Sequence, residues 1–310
     1  MKLIEPKVEI IQQEPNLEGI YKQIEQAARI CYKSEDKITD TSAKEFVDRL
    51  IKNKHLAMLE HGTVYLHLPE AIGDDCDIVK KYKINTYSYI ASFQKTYNPN
   101  IWLNNYVVTT NLRVLQENNW LDDLQYLCEP TEYHEKRYTL KFITSIGITR
   151  ELIRHRRFSF ANESSRFCRY KNGLTFIKPY WFVLPAGEVF WHDGICYRIY
   201  DDKNNPDKYI SVMPSVVGEE FVHKAHTFLH SIDNAETSYL ALLLEGLTAQ
   251  QAREVLPLCT KSELVMTGFE SDWKEFFDKR LKGTTGKPHP DMIHLCKLAQ
   301  EELTKNGIVL

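Results

Sequence analysis

The sequence has no long apolar run, no excess of charge of one sign and no glycine-rich dinucleotide fingerprint. Of its 310 residues, 43% are hydrophobic and 26% are charged, with a formal net charge of -3, which is typical of a folded globular protein. No stretch reaches the ~18 apolar residues of a membrane-spanning helix. Proteins that coat nucleic acid usually carry a basic excess. We therefore expect neither a membrane nor a nucleic acid as partner.

Cysteines are few and scattered. No CxxC pair occurs among the seven, which argues against a zinc site and against a disulfide framework. The first residues are charged and lack the apolar core of a signal peptide. A reduced, cytoplasmic compartment and no metal are the resulting expectations. The cysteines are Cys31, Cys76, Cys128, Cys168, Cys196, Cys259 and Cys296.

Apolar periodicity predicts a mixture of helices and strands without the regular strand–helix alternation of a parallel sheet. The expected class is α+β, with helices packed on a small, mostly antiparallel sheet in one domain over residues 1–310. Capping boxes are predicted at Ser42 and at Thr248, and the C-terminal third is predicted to be helical. Predicted strands are Lys7 to Gln12, Val64 to Leu68, Tyr106 to Thr110 and Tyr138 to Thr144; predicted helices are Leu17 to Tyr32, Trp273 to Leu281 and Asp291 to Lys305.

A basic segment begins at Arg154, where three arginines and a histidine occur within four residues. The chain is predicted to be helical from Thr149, so these charges would repel one another on one helical turn. A bound phosphate or pyrophosphate would compensate, because guanidinium groups match phosphate oxygens bidentately. The alternative is a solvated basic face with carboxylate partners. Short polar residues from Asn162 to Arg166 favour a loop that binds a phosphate and a pyrimidine together.

This segment resembles the signature of the flavin-dependent thymidylate synthases. That signature is Arg-His-Arg, seven residues, then Ser-x-Arg-aromatic, and it stands here as Arg154-His155-Arg156 and Ser164-Ser165-Arg166-Phe167. The usual tyrosine of the family is Phe167 here, and Tyr170 is a candidate to replace its hydroxyl. Further similar segments follow in the family's order: Ala28 to Tyr32, Glu60 to Thr63, Ala252 to Pro257 and Phe276 to Pro290.

The resemblance implies the family's fold with two insertions, at about residues 70–135 and 178–217. It implies reductive methylation of dUMP to dTMP without a protein nucleophile. FAD would be the cofactor, and NADPH and methylenetetrahydrofolate the co-substrates. It also implies a homotetramer whose active sites are shared between subunits.

Residue roles follow from the same resemblance. Arg280 would be catalytic by stabilising the anionic uracil. Glu151 occupies a position where the family often has Gln, and an arginine or the sugar is its expected neighbour. The family's Asn-x-Arg is absent at Phe269-Glu270-Ser271. The dUMP-binding residues would be Glu151, Arg154, Asn162, Glu163, Ser164, Ser165, Arg166, Arg253 and Arg280; the FAD-binding residues would be Arg154, His155, Arg156, Asn162, Glu275 and His289.

An alternative function is a non-enzymatic module that binds nucleotides or RNA through the arginines and neighbouring aromatic rings. Its aromatic residues would be Phe158, Phe160, Phe167 and Tyr170. Cys259, which follows an apolar run, is expected to be a core residue and not a nucleophile.

Overall fold

A computed structural model describes residues 1–71, 76–98, 101–182, 187–192, 196–200, 209–211 and 219–310. Helices and strands occur in mixed order along these ranges. The α-helices are α1 (Leu17–Ile30), α2 (Ser42–Lys52), α3 (Asp77–Ile84), α4 (Leu112–Glu117), α5 (Ile146–Leu152), α6 (Glu219–Leu244), α7 (Ala249–Ala252), α8 (Glu270–Arg280) and α9 (Pro290–Lys305).

The strands are β1 (Lys2–Ile4), β2 (Lys7–Ile11), β3 (Thr63–Ala71), β4 (Tyr89–Asn98), β5 (Ile101–Asn111), β6 (Arg137–Ser145), β7 (Ser159–Asn162), β8 (Thr175–Ile177), β9 (Gly187–His192), β10 (Cys196–Tyr200), β11 (Tyr209–Ser211) and β12 (Lys261–Phe269). They form three sheets, with strand orders β2-β6-β12-β7, β3-β5-β4 and β11-β10-β9-β1-β8. Pairing is antiparallel except between β1 and β8, which run parallel.

The mixed, mostly antiparallel class predicted from the sequence is confirmed, but the prediction of one small sheet is wrong. Alternation and apolar runs identify strands, whereas their pairing partners depend on contacts between distant segments. The segment 70–135 contributes β4, β5, α3 and α4 to the sheet that also contains β3. The segment 178–217 lies partly outside the described residues.

Three local predictions are corrected. The C-terminal third contains β12, which is buried on both faces and therefore shows no alternation. Helix α5 ends at Leu152, so the basic segment that starts at Arg154 is not helical. No capping box forms at Ser42, because its hydroxyl donates to the Glu25 carboxylate at 2.8 Å. The box at Thr248 is confirmed.

The sheet of β2, β6, β12 and β7 packs against α8 and α9, and α8 contributes a cluster of large aromatic side chains to this core. Trp273 and Phe276 of α8 are almost fully buried, and they contact Phe142 of β6 and Phe158. The ring of Phe158 lies 4.7 Å from that of Trp273, in an edge-on arrangement. This cluster fixes the position of Phe158, the residue that ends the basic segment.

Gly268 of β12 lies directly beneath Phe158. A Cβ atom at this position would lie 2.4 Å from two ring carbons of Phe158. We expect Gly268→Ala to reduce the free energy of unfolding by about 1–3 kcal/mol, because the aromatic cluster leaves the ring little room to move. Urea unfolding measures the change.

Gly147→Ala is the matched control. Its Cβ would have no neighbour closer than 3.5 Å, and alanine in helix α5 should raise stability by about 0.5–1 kcal/mol. Equal stabilities of the Gly268 variant and the wild type would contradict the proposed crowding.

Candidate functional site

The signature segment is divided by strand β7 into two parts. Arg154 to Phe158 form a turn before the strand, and Glu163 to Cys168 follow it. Strand β7 pairs with β12, with Ser159 opposite Thr267 and Asn162 opposite Leu264. Four extended residues span roughly 13 Å. The two parts of the signature therefore lie at opposite ends of the strand, and each lines its own cavity.

The first cavity, which we call the serine cavity, lies beyond the end of β7 and has a volume of about 340 Å³. Three cationic side chains, Arg150, Arg253 and Lys261, line it together with a single carboxylate, that of Glu163. Hydroxyl and amide groups complete the wall. The serine cavity is lined by Ile146, Thr149, Arg150, Asn162, Glu163, Ser164, Ser165, Tyr170, Arg253, Lys261 and Ser262. Such a surface suits a phosphate group, because cations and hydroxyl donors both match its oxygens.

The Glu163 carboxylate is buried and is held by several donors. The Tyr170 hydroxyl donates to it at 2.6 Å and the Lys261 ammonium lies 3.1 Å away. The backbone N–H of Glu263 also donates to it, at 3.1 Å. Lys33 lies 3.4 Å from the same carboxylate. Because these groups occupy its oxygens, Glu163 positions the loop that carries Ser164.

A second buried carboxylate, Glu263, belongs to the same network. Burial alone would raise its pKa, but Lys141 and Lys261 outweigh burial and lower the pKa of Glu263 to about 2. Burial also disfavours the charged form of Lys33, yet Glu163 and Glu263 raise its pKa above the ordinary value. Glu263 and Lys33 therefore stay charged across the physiological range, and Lys261 joins the two carboxylates of the network.

The second cavity, which we call the arginine cavity, lies before β7 and has a volume of about 220 Å³. Five cationic side chains face two carboxylates across it, so a bound anion would be favoured. The arginine cavity is lined by Arg154, His155, Arg156, Arg157, Phe158, Asp272, Glu275, Phe276, Lys279 and Arg280.

Arg280 is held in a fixed orientation by His155 and by Glu151 of helix α5. Its Nε donates to Nε2 of His155 at 2.8 Å, and its Nη2 donates to the Glu151 carbonyl oxygen at 3.4 Å. The Glu151 carboxylate lies 3.5 Å from Nη1. Residues 125 positions apart in the sequence are thus joined by a direct hydrogen bond, and Glu151 neighbours an arginine.

His155 accepts this hydrogen bond in its neutral form. Burial, followed by the positive charges of Arg280 and Lys279, lowers the pKa of His155 to about 4. A neutral imidazole leaves the guanidinium as the only charged group of the pair. Arg280 therefore offers a positive charge of fixed orientation to the arginine cavity, where it would favour a bound anion.

The arginines of the turn differ in their partners. Arg157 lies 3.4 Å from Asp272 and 3.1 Å from Glu275. The exposed guanidinium groups of Arg154 and Arg156 form no ion pair or hydrogen bond with the part of the chain that the structure describes. Both are available to an anionic ligand.

Not all residues assigned from the signature meet within one chain. Arg166 is exposed and donates to Gln250 at 3.0 Å, outside both cavities. His289 begins helix α9, accepts from the Asp291 N–H at 3.2 Å and lines neither cavity. Of the residues assigned to ligands from the sequence, Asn162 to Ser165 and Arg253 line the serine cavity. Arg154 to Arg156, Glu275 and Arg280 line the arginine cavity.

Several lining residues had no role assigned from the sequence. Lys261 and Arg150 supply charge to the serine cavity, and Lys279 supplies charge to the arginine cavity. Lys261 carries no local signal, because its importance comes from lying on β12 beside Glu163. Arg150 lies four positions before Arg154 in the sequence, and this spacing, which a continuous helix would place on one face, is its only sequence signal.

A third cavity adjoins the arginine cavity and is larger, at about 660 Å³. We call it the tyrosine cavity after Tyr87 and Tyr89, which line it. Arg156, Arg157, Phe158 and Asp272 are shared by both cavities. Phe269 and Ser271, where the family's Asn-x-Arg is absent, also line the tyrosine cavity. Its volume lies within the range typical of small-molecule sites, and its wall combines aromatic rings with arginine side chains.

Among the described residues, no helix is both long and apolar enough to cross a membrane. The same residues include no group of three His, Cys, Asp or Glu that could hold a metal ion.

Cys259 packs against the core around β1 and β8, and burial raises the pKa of its thiol to about 11. A thiol of that pKa is a poor nucleophile at neutral pH.

Replacing Lys261 tests the buried network. We expect Lys261→Met to reduce the free energy of unfolding by about 3 kcal/mol, because Glu163 and Glu263 lose the cation between them. This loss of stability lies at the lower end of the range usual for a broken buried ion pair, because Lys33 and Lys141 still neutralise the two carboxylates. Lys274→Met, which removes an exposed pair with Glu270, should cost at most about 0.5 kcal/mol. Equal losses in the two variants, measured by urea unfolding, would show that the network is not stabilising.

The titration of His155 tests the contact with Arg280. We expect an NMR titration midpoint near pH 4, and a higher midpoint in Arg280→Met, which loses both the repulsion and the donated hydrogen bond. An unfolded histidine titrates near 6.5. Between pH 6.5 and about 4 the unfolded state therefore binds the extra proton, and stability falls as the pH falls. Lys274→Met is the control, and a wild-type midpoint near 6.5 would contradict the geometry.

Comparisons with known proteins agree with the signature. The family model described as "Thymidylate synthase complementing protein" matches residues 129–306. The "Probable flavin-dependent thymidylate synthase" of Paramecium bursaria Chlorella virus 1 is 24% identical over 159 residues, which cover 51% of this chain and 63% of that protein. The match thus spans less than two thirds of the length of this curated relative.

Solved structures similar to the chain include the UMP/dUMP methylase PolB from Streptomyces cacaoi, bound with 5-Br UMP or with 5-Br dUMP. The identities are 15% and 16%, and the TM-scores 0.43 and 0.42. Each alignment covers 98% of this chain, and 92% or 93% of the other. These scores are too low to assign the fold.

The family model, by contrast, covers more than half of the sequence, including the signature from Arg154 to Phe167. The chain therefore belongs to the thymidylate synthase complementing protein family.

Proposed function

We propose that this protein is a flavin-dependent thymidylate synthase. It would methylate dUMP to dTMP, with methylenetetrahydrofolate as carbon donor, NADPH as reductant and FAD as hydride carrier. Membership of the family and the curated relative named as a probable flavin-dependent thymidylate synthase support this reaction.

The observation that carries the proposal is the contact between Arg280 and the Arg-His-Arg turn. The Arg280 guanidinium is fixed by neutral His155 and by Glu151, and it faces the same cavity as Arg154 and Arg156. A guanidinium held in one orientation in a partly buried site, with only the 3.5 Å contact to the Glu151 carboxylate as an ion pair, is suited to stabilising an anionic uracil ring. A solvated basic face would not need this orientation.

Each group of the site has a distinct task in this proposal. Arg154 and Arg156, which have no carboxylate partner among the described residues, would bind phosphate groups. Arg280 would lie against the uracil ring and stabilise its negative charge. Ser164, Ser165 and Arg253 would hold the dUMP phosphate and sugar. Glu163, fixed by Lys261 and Tyr170, would keep the serine loop in place.

Bound FAD would supply the hydride that the uracil ring accepts. Arg156, Phe158 and Phe269 would contact it, because they line the large cavity next to Arg280. Glu275 lies beside Arg157 and would orient that arginine. With the reductant and carbon supplied by ligands, no side chain needs to act as a nucleophile.

The separation of the two cavities supports a site shared between subunits. One nucleotide cannot contact both ends of β7 in one chain if its phosphate lies in the serine cavity and its base beside Arg280. A second copy could place its serine cavity opposite the first copy's Arg280, as in the proposed homotetramer. Arg166 and His289, exposed in a single chain, would then reach ligands across a subunit boundary. A cytoplasmic location belongs to the same proposal.

The alternative of an RNA-binding module has less support. Base stacking needs accessible rings. Phe158 is buried in the aromatic cluster, and the Tyr170 hydroxyl is bound to Glu163. Phe167 is exposed, with its ring 5.2 Å from that of Tyr32.

The visible spectrum and one substitution test the proposal. The purified protein should absorb near ~450 nm, a property of bound flavin. Arg280→Ala should retain the flavin and lower dTMP formation by at least about 100-fold, because the ring loses its charge stabilisation. Flavin absorbance, NADPH oxidation and dTMP are measured together.

Arg49→Ala is the control, because Arg49 stacks on Phe46 away from the serine and arginine cavities. It should leave dTMP formation unchanged. A protein that takes up no FAD, or undiminished turnover in the Arg280 variant, would refute the proposal.

A further inference from the structure

Half of the residues that line the tyrosine cavity lie outside the family-matched range. Thr86 to Ser88 precede β4, and Tyr89 is its first residue. Asn111, Arg113 and Val114 lie just before or within the start of α4, whereas the match starts at residue 129. Tyr87 is 68% exposed and Tyr89 is 43% exposed. Two large aromatic side chains are thus left open to solvent at the wall of a 660 Å³ cavity, as is common where a planar ligand binds.

The segment that carries the two tyrosines is held in place before any ligand binds. The Tyr87 backbone N–H donates to the Asn85 side-chain oxygen at 2.9 Å. The Ser88 hydroxyl donates to the same oxygen at 3.1 Å and can accept from the Thr110 hydroxyl on β5, 2.9 Å away. A fixed aromatic surface loses little entropy on binding, so stacking on it is more favourable.

Charges in the tyrosine cavity indicate which part of a ligand lies where. Arg113 is occupied by Glu60 and Glu117, and Arg137 donates to the Glu60 carbonyl oxygen at 3.2 Å. Arg156, which lines both this cavity and the arginine cavity, has no such partner among the described residues. An anionic group of the ligand therefore belongs at Arg156, and an uncharged ring belongs at the tyrosines.

We propose that Tyr87 and Tyr89 form a stacking site for the adenine ring of the FAD cofactor, a site that rests on the proposed function. The order of groups matches this dinucleotide: the reacting ring near Arg280, the diphosphate at Arg156 and the uncharged purine beyond it. The anionic glutamate tail of a folate fits this end less well, because the arginines there are already paired.

Flavin affinities of tyrosine variants test the site. Flavin-free protein is titrated with FAD and with FMN, which lacks the adenylate half, and binding is followed by flavin fluorescence. Tyr87→Ala with Tyr89→Ala should weaken FAD binding by about tenfold or more, as expected for the loss of base stacking. FMN affinity should change less than about twofold, because FMN cannot reach the tyrosines. Tyr87→Phe with Tyr89→Phe should keep most of the FAD affinity.

Tyr180→Ala is the matched control, because Tyr180 is 59% exposed and does not line the cavity. FAD binding that is unchanged in the double alanine variant would overturn the stacking site while leaving the proposed enzyme intact. If the double alanine variant bound FAD and FMN more weakly by the same factor, the stacking site would be overturned as well. The tyrosines would then act on the flavin half that both ligands share. Absence of FAD binding to the wild type would instead refute the proposed function.

Discussion

The pairing of the short strand β7 with the buried strand β12 determines the geometry of the whole site. This pairing fixes Ser159 opposite Thr267 and Asn162 opposite Leu264. It therefore directs the arginine turn towards α8 and the serine loop towards Lys261. Because β12 is buried on both faces, neither part of the signature can shift without disturbing the core. Strand β7 thus keeps two parts of one sequence motif apart at a fixed separation.

Electrostatics differ between the two ends of β7. At the serine end, buried carboxylates are neutralised by lysines, so the charges are mutually satisfied and the loop is rigid. At the arginine end, cations outnumber carboxylates, and neutral His155 orients Arg280 without compensating its charge. One end therefore has a built-in structural network, and the other retains positive charge that a ligand can neutralise. The division suits a site in which one surface holds the substrate and the other stabilises charge during the reaction.

The family match and the remainder of the chain have different parts in this arrangement. The matched range, 129–306, contains β7, β12 and both sets of signature residues. The preceding residues provide α1, α2 and the sheet of β3, β4 and β5, and the loop before β4 reaches the matched range at the tyrosine cavity. A segment that has the pattern of an insertion in the sequence is thus part of a cavity wall beside the signature arginines.

The sequence alone determined the family, the mixed α and β class, most helices of the C-terminal third, and the chemistry of the signature, because these depend on local patterns and residue order. It did not show β12, whose two buried faces hide the alternation of a strand, nor the end of α5 before Arg154. Only the tertiary structure decided that Glu163 is enclosed by Lys33, Lys261 and Tyr170, and that Glu151 lies beside Arg280. It also showed that Arg166 and His289 do not line the arginine cavity. Except for the contact between Glu163 and Tyr170, the contacts named here join residues about a hundred or more positions apart, which no local pattern encodes.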